Sequence, residues 1–270
     1  MNALPLGLSL AALLAFSGSA LAQSVDTSEP VPPKHESWSF NGPFGMYDRA
    51  SLQRGFQVYK EVCSACHSLD RVAFHDLSDE NGGDGFFTDA QVKAIAASYK
   101  VPAGPNDKGE TVDANGTPLT RPGIPADYFP PPFPNEEAAR TANGGTLPPD
   151  LSLIVKARDG GSDYVYSIVV GDGMTPPHGF KVIEGKYFDS YFPGRNISMP
   201  PPLADNSVTY SDGTNATKAQ EAHDVVTFLS WASEPKLEQR HRIGFGVMVF
   251  MILLSGLLFL SYRRVWKDEH

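Results

Sequence analysis

The sequence predicts a mostly α-helical domain threaded by long Pro/Gly-rich loops and ended by one membrane-spanning helix. Three observations predict it. Apolar residues recur at helical spacing before Cys63-Ser64-Ala65-Cys66-His67 and again over 218–232. The 25 glycines and 23 prolines in 270 residues exceed the roughly 12% of average usage, which argues for extended irregular segments. Residues 243–262, IGFGVMVFMILLSGLLFLSY, carry no charge.

The elements follow in order. Residues 4–16 are an apolar run, and Ala20-Leu21-Ala22 supplies a small-residue cleavage site. This is the layout of a signal peptide over 1–22, although no Lys or Arg precedes the run. Residues 23–242 then form the exported domain. Its first part, 23–47, reads as an extended arm. Over 48–67, Leu52, Phe56, Tyr59, Cys63 and Cys66 share one helical face. A shorter helix is expected over 89–100, loop over 101–150, and a helix over 150–158. The apolar segment 162–170 is of ambiguous type, and 180–192 alternates as a small hairpin does. Residues 218–232 form an amphipathic helix with Ala222, Val225, Phe228, Leu229 and Ala232 on one face, ended by Pro235. The uncharged run 243–262 matches a hydrocarbon core about 30 Å thick. Arg240, His241 and Arg242 flank it on one side, and Arg263, Arg264 and Lys267 on the other. With both flanks basic, the signal peptide sets the orientation, leaving 263–270 as a cytoplasmic tail.

The net charge of −9 argues against nucleic acid, which needs clustered Lys and Arg. Asp76, Asp79, Glu80, Asp84 and Asp89 occur with no Lys or Arg among them, a stretch that suits a basic protein partner or a solvated loop.

The chain has two cysteines, both in Cys63-Ser64-Ala65-Cys66-His67, which is a c-type haem attachment signal. Thiols three residues apart on one helical face can each add to a haem vinyl group. His67 follows directly, so its imidazole reaches the iron from the side of the anchors. A redox dithiol would want a βαβ context, and a zinc site would want two further ligands of similar spacing. A Met opposite the His is the electron-carrier arrangement and raises the reduction potential. Met46, Met174 and Met199 lie outside the apolar run, with His75, His178 and His223 as alternatives. Pro200-Pro201-Pro202 restricts the loop after Met199, which suits a ligand held at fixed reach.

Taken together, the motifs identify a family. The chain resembles cytochrome c1, the haem subunit of the ubiquinol–cytochrome c oxidoreductase (cytochrome bc1) complex. The resemblance rests on Arg54-Gly55-Phe56-Gln57-Val58-Tyr59 before the Cys-x-x-Cys-His motif, Gly104-Pro105-Asn106, Arg121-Pro122-Gly123 and the block 143–152, NGGTLPPDLS. Tyr187-Phe188, Tyr191-Phe192-Pro193-Gly194, Met199-Pro200-Pro201-Pro202 and Trp231-Ala232-Ser233-Glu234-Pro235 complete the order.

The resemblance implies a class I cytochrome c-like domain and one covalent haem c. Its axial ligands would be His67 and Met199, with Arg121 and Tyr128 on the propionate side. It implies cytochrome b and the Rieske iron–sulfur protein as membrane partners and a soluble cytochrome c as electron acceptor. It places the domain on the periplasmic side of the inner membrane, or the mitochondrial equivalent. The rival readings are an anchored cytochrome c serving an oxidase, and a haem enzyme or sensor with an open sixth position. The helix at 48–67 is expected to pack on that at 218–232, with Gly55 allowing close approach.

Overall fold

The computed structural model describes residues 29–79, 84–171 and 175–268. The expected signal peptide and Met174 lie outside the described residues.

The first helix, α1, spans Arg49–Glu61 and is capped by Asp48, whose carboxylate accepts from the Ser51 amide at 2.9 Å. It buries Leu52, Phe56, Val58 and Tyr59. The sequence predicted a helix running on to His67, but the α-helix stops at Glu61 and Cys63–Ala65 form a 3-10 turn. The Ser64 hydroxyl takes the Lys60 carbonyl (2.7 Å), in competition with the helix ladder. The Cys63 carbonyl then accepts from both Cys66 N (3.1 Å) and His67 N (3.0 Å).

The second major helix, α5, covers Lys218–Ser233 and lies against α1. Gly55 makes this approach possible: a Cβ there would stand 2.0 Å from the Asp224 carbonyl oxygen and 2.8 Å from Phe228 Cβ. Beside it, Arg54 forks onto the buried Asp224 carboxylate through Nε (2.8 Å) and Nη2 (3.0 Å). α5 is buried on more than the one face its pattern suggests, because α1 covers one side and α4 (Gly161–Val170) another. The 162–170 segment is therefore helical, bounded by Gly160 (φ 84) and Gly171 (φ 61). An aromatic core fills the centre: Phe74 and Phe129 lie 4.4 Å apart, Phe86 and Trp231 5.0 Å, and Phe56 and Phe228 5.7 Å.

The smaller helix α2 (Asp89–Ala97) starts at a capping box of Thr88 and Gln91. Residues 101–150 are largely irregular, as expected, but contain an antiparallel ribbon of β1 (Lys100–Pro102) and β2 (Thr120–Pro122), and a short helix, α3 (Glu136–Ala142). Seven residues between proline-rich flanks are too few to show a period, so α3 was not legible. The helix expected over 150–158 is instead a series of turns, because its start is held against residues 68–71. The hairpin expected over 180–192 lies further on: β3 (Tyr187–Phe188) pairs with β4 (Asn196–Ile197). Gly194, at φ 73, makes the reversal.

Over its described residues, 29–48, the arm before α1 has no regular structure. Trp38 fastens it, donating to Asp163 (2.6 Å) and stacking on His223 at 4.8 Å. Desolvation raises the Asp163 pKa, but the hydrogen bonds from Trp38, His35 and Glu36 outweigh it and hold the carboxyl below its usual range.

The last helix, α6, spans Leu237–Val265 and contains the whole uncharged run. Its most apolar window has a mean hydropathy of 2.6 and is not buried among the described residues. Buried Asp84 locks the α5–α6 joint. Its carbonyl accepts from Trp231 Nε1 (2.9 Å) and Arg49 (3.1 Å), and its carboxylate from the Glu238 amide (2.6 Å). Of the acidic stretch, Asp84 is thus turned inward, Asp76 and Asp89 are half-buried, and Asp79 is exposed. Asp76 caps Ala73 N and Asp89 accepts from Ser78, while Glu80 lies outside the described residues.

Candidate haem-binding site

The 3-10 turn places Cys63 and Cys66 one turn apart, since i and i+3 eclipse at three residues per turn. Neither is in a disulfide; Cys63 is partly covered and Cys66 exposed. Desolvation, with a smaller contribution from Cys66, pushes the Cys63 thiol up to about 12, so it stays protonated at neutral pH.

His67 is set by its own second contact. Its Nδ1 lies 2.8 Å from the Pro149 carbonyl. A carbonyl only accepts, so Nδ1 carries the proton and Nε2 keeps its lone pair free for a metal. Desolvation lowers the His67 pKa and so favours the neutral ring, opposed in part by the Pro149 carbonyl and Asp150.

Asp150 holds the Pro149 segment in place. Its carboxylate accepts from Ser68 Oγ (2.9 Å), Asp70 N (2.8 Å) and Ser152 N (2.9 Å). Leu151 N donates to Ser68 O at 3.0 Å, and Arg71 N to Ser152 Oγ at 3.1 Å. The stretch 149–152 therefore lies zipped along 67–71. At its other end, Thr146 Oγ1 donates to Ser198 Oγ (3.0 Å), directly before Met199, and Lys186 also donates to Ser198. Met199 is partly buried against Ile168, Tyr191 and Ile197. One short segment, 146–150, thus ties both His67 and the residue adjoining Met199.

Arg121 on β2 forks onto Asp127 at 2.6 and 2.7 Å. The Arg121 hydrogen bond, then the Ile124 amide, holds the Asp127 carboxyl below its usual range. Tyr128 follows and is exposed, its backbone bridged to Ala73. These residues share one corner, joined to the turn after the haem motif by Phe74 N donating to Asp127 O (2.9 Å). Of the alternative iron ligands, His223 stacks on Trp38, His75 lies 3.3 Å from Asp76, and Met46 is exposed beside α6. Among the described residues no group of three or more His, Cys, Asp or Glu is placed to hold a metal ion.

Residues 38–269 match the Cytochrome C1 family. The chain belongs to the cytochrome C1 family. It is 46% identical to the cytochrome c1 of Rhodospirillum rubrum over 86% of this chain and 87% of that protein. It is 48% identical to the mitochondrial cytochrome c1 heme protein of Kluyveromyces lactis over 86% of this chain and 73% of the other. It also matches a cytochrome b/c1 of Bradyrhizobium diazoefficiens at 46% identity over 94% of this chain, of whose length it spans 38%.

Cytochrome c1 proteins carry one covalently attached haem c, and the residues here fit that group. They offer two thiols one 3-10 turn apart, an imidazole with a fixed tautomer, and a thioether in a proline-bounded segment. The supporting residues Thr146, Pro149 and Asp150 were visible only as members of a matched block, because a backbone carbonyl leaves no chemical mark in a sequence.

Proposed function

We propose that this chain is the electron-exit subunit of a ubiquinol–cytochrome c oxidoreductase, in which Cys63 and Cys66 would hold haem c covalently and His67 and Met199 would bind its iron. The observation that carries the site assignment is the shared support: Pro149 orients His67, while Thr146, three residues earlier, holds the segment of Met199. Bound there, the haem supplies a reversible one-electron couple. The protein favours a neutral His67, fixes the reach of Met199 and covers Cys63 with apolar packing from α1 and the core. No bond is made or broken in such a transfer, so no general acid or nucleophile is needed. Arg121 and Tyr128 are assigned to the propionate side, where the guanidinium would exchange one partner carboxylate for another.

The chain receives electrons from a Rieske iron–sulfur protein and passes them to a soluble cytochrome c, in a membrane assembly with cytochrome b. Relatives named as a cytochrome b/c1 and as a catalytic subunit of the cytochrome b-c1 complex support this. Residues 243–262 cross the membrane, 23–242 lie on the periplasmic side or its mitochondrial equivalent, 263–270 stay inside, and 1–22 are removed.

The test is the optical spectrum of membranes carrying the wild type and Met199→Leu, with and without carbon monoxide. The wild type should show a low-spin covalent haem inert to carbon monoxide. The variant should bind it and show a lowered potential. Carbon monoxide binding by the wild type would reject the carrier assignment in favour of an open-site haem protein.

A further inference from the structure

We propose that the turn formed by residues 39–46 is a second membrane contact of the haem domain, its Phe44 and Met46 side chains seated in the lipid headgroup region beside α6. The inference rests on the reading of 243–262 as a membrane span.

The turn is a fixed body. Met46 N donates to Ser39 O (3.1 Å) and Gly45 N to Gly42 O (3.2 Å), leaving Pro43 and Phe44 at the tip. Gly42 sits at φ 84, and a Cβ on Gly45 would stand 2.2 Å from the Phe40 backbone, so both positions demand glycine. Beyond the turn, Tyr47 is buried and its amide donates to Glu238 of α6 at 2.8 Å.

The turn is also docked on the helix at a defined height. His241 Nδ1 donates to Gly45 O at 3.2 Å, and the Phe44 ring meets Phe245 edge-on with centroids 6.1 Å apart. His241 and Phe245 are four residues apart, one turn on one face. Phe245 lies three residues past Arg242, the last cation before the uncharged run, which is about 4.5 Å along the axis at 1.5 Å per residue. Phe44 therefore stands where the charged flank gives way to hydrocarbon, the level that favours aromatic rings.

Phe44 is 74% exposed and Met46 61%. Two large apolar side chains on a rigid turn are costly in water, and they adjoin the exposed surface of the span itself. That continuity favours lipid over a soluble partner. A single helix leaves a domain free to tilt about its anchor, whereas a second contact at fixed distance restricts it.

Attached to haem, Cys63 and Cys66 have no free thiol, so a cysteine introduced elsewhere is the only one to label. The holo-chain would carry Phe44→Cys, or Met46→Cys should the first fold poorly. Phe250→Cys within the span and Ile124→Cys, an exposed position of the haem domain outside the turn, serve as references. Each is nitroxide-labelled and placed in phosphatidylcholine vesicles, and collision with oxygen is compared with collision with a water-soluble nickel chelate. The oxygen-to-nickel ratio at positions 44 and 46 should exceed that at 124 several-fold and stay below that at 250, which lies deeper in the span. A high ratio at 250 with a water-like ratio at 44 and 46 overturns the inference but leaves the anchor intact. A water-like ratio at 250 overturns the anchor reading. If 44 is wet in vesicles but shielded in native membranes, the turn is a protein interface and the lipid assignment is wrong.

Discussion

Replacing Gly55 by Ala sets two well-known effects against each other, and the structure decides the sign. Alanine is a better helix former than glycine by about 0.8–1.0 kcal/mol, so an isolated helix α1 would gain. In the protein, the new Cβ would lie 2.0 Å from the Asp224 carbonyl oxygen and 2.6 Å from its carbon. Carbon–oxygen contacts settle at about 3.3–3.6 Å, so α1 and α5 must part by roughly 1.3 Å. The obstacle is backbone, and no rotamer change relieves it. Parting the helices also loosens Phe56 and Tyr59 against Phe228 and stretches the Arg54–Asp224 fork. Overpacking of this kind costs about 1–3 kcal/mol, and the upper end applies because both sides are helical backbone. The net expectation is a loss of about 2 kcal/mol, or ~4–8 °C in Tm for a domain of this size. The assay is thermal unfolding of the detergent-purified holoprotein by far-ultraviolet circular dichroism. Gly104→Ala, which meets nothing within 4 Å, is the control. An unchanged or raised Tm for Gly55→Ala would refute the close-packed crossing.

Other expectations follow from the same geometry. Arg54→Leu strands the fully buried Asp224 carboxylate and should cost about 3–5 kcal/mol in denaturant titration. The double variant Arg54→Leu/Asp224→Leu should recover much of it, and a double as unstable as the single would show that the pair is not the source. Asp150→Ala releases the stretch that positions Pro149 under His67. It should lower the yield of attached haem and broaden the redox titration, whereas unaltered yield and potential would remove Asp150 from the support of His67. Asp163 has a folded pKa below its ordinary value. Its contribution is therefore present above about pH 4 and lost as pH falls through the folded pKa. Between pH 6 and pH 3 the wild type should lose more stability than Asp163→Asn, and parallel pH profiles would discount the Trp38 anchor.

The sequence by itself determined the attachment motif, the two principal helices, the uncharged C-terminal span and the glycine at the helix crossing. Each is local chemistry: a motif within five residues, a 3.6-residue period, a run without charge, or a residue lacking Cβ. The spacing of Cys63 and Cys66 was legible even though the α-helix ends before them, because a 3-10 turn also brings i and i+3 to one side. Tertiary structure alone decided the rest. The segment 150–158 is apolar enough for a helix, yet Asp150 and Ser152 are drawn into hydrogen bonds with residues 68–71. The acidic stretch reads as a docking surface or a solvated loop, yet its Asp84 is buried in the joint between α5 and α6. Most telling is His67: its residue type was plain from the motif, but the proton on Nδ1 is set by a proline carbonyl 82 positions away. Backbone acceptors are the same at every residue, so only the fold can say which one a side chain will meet.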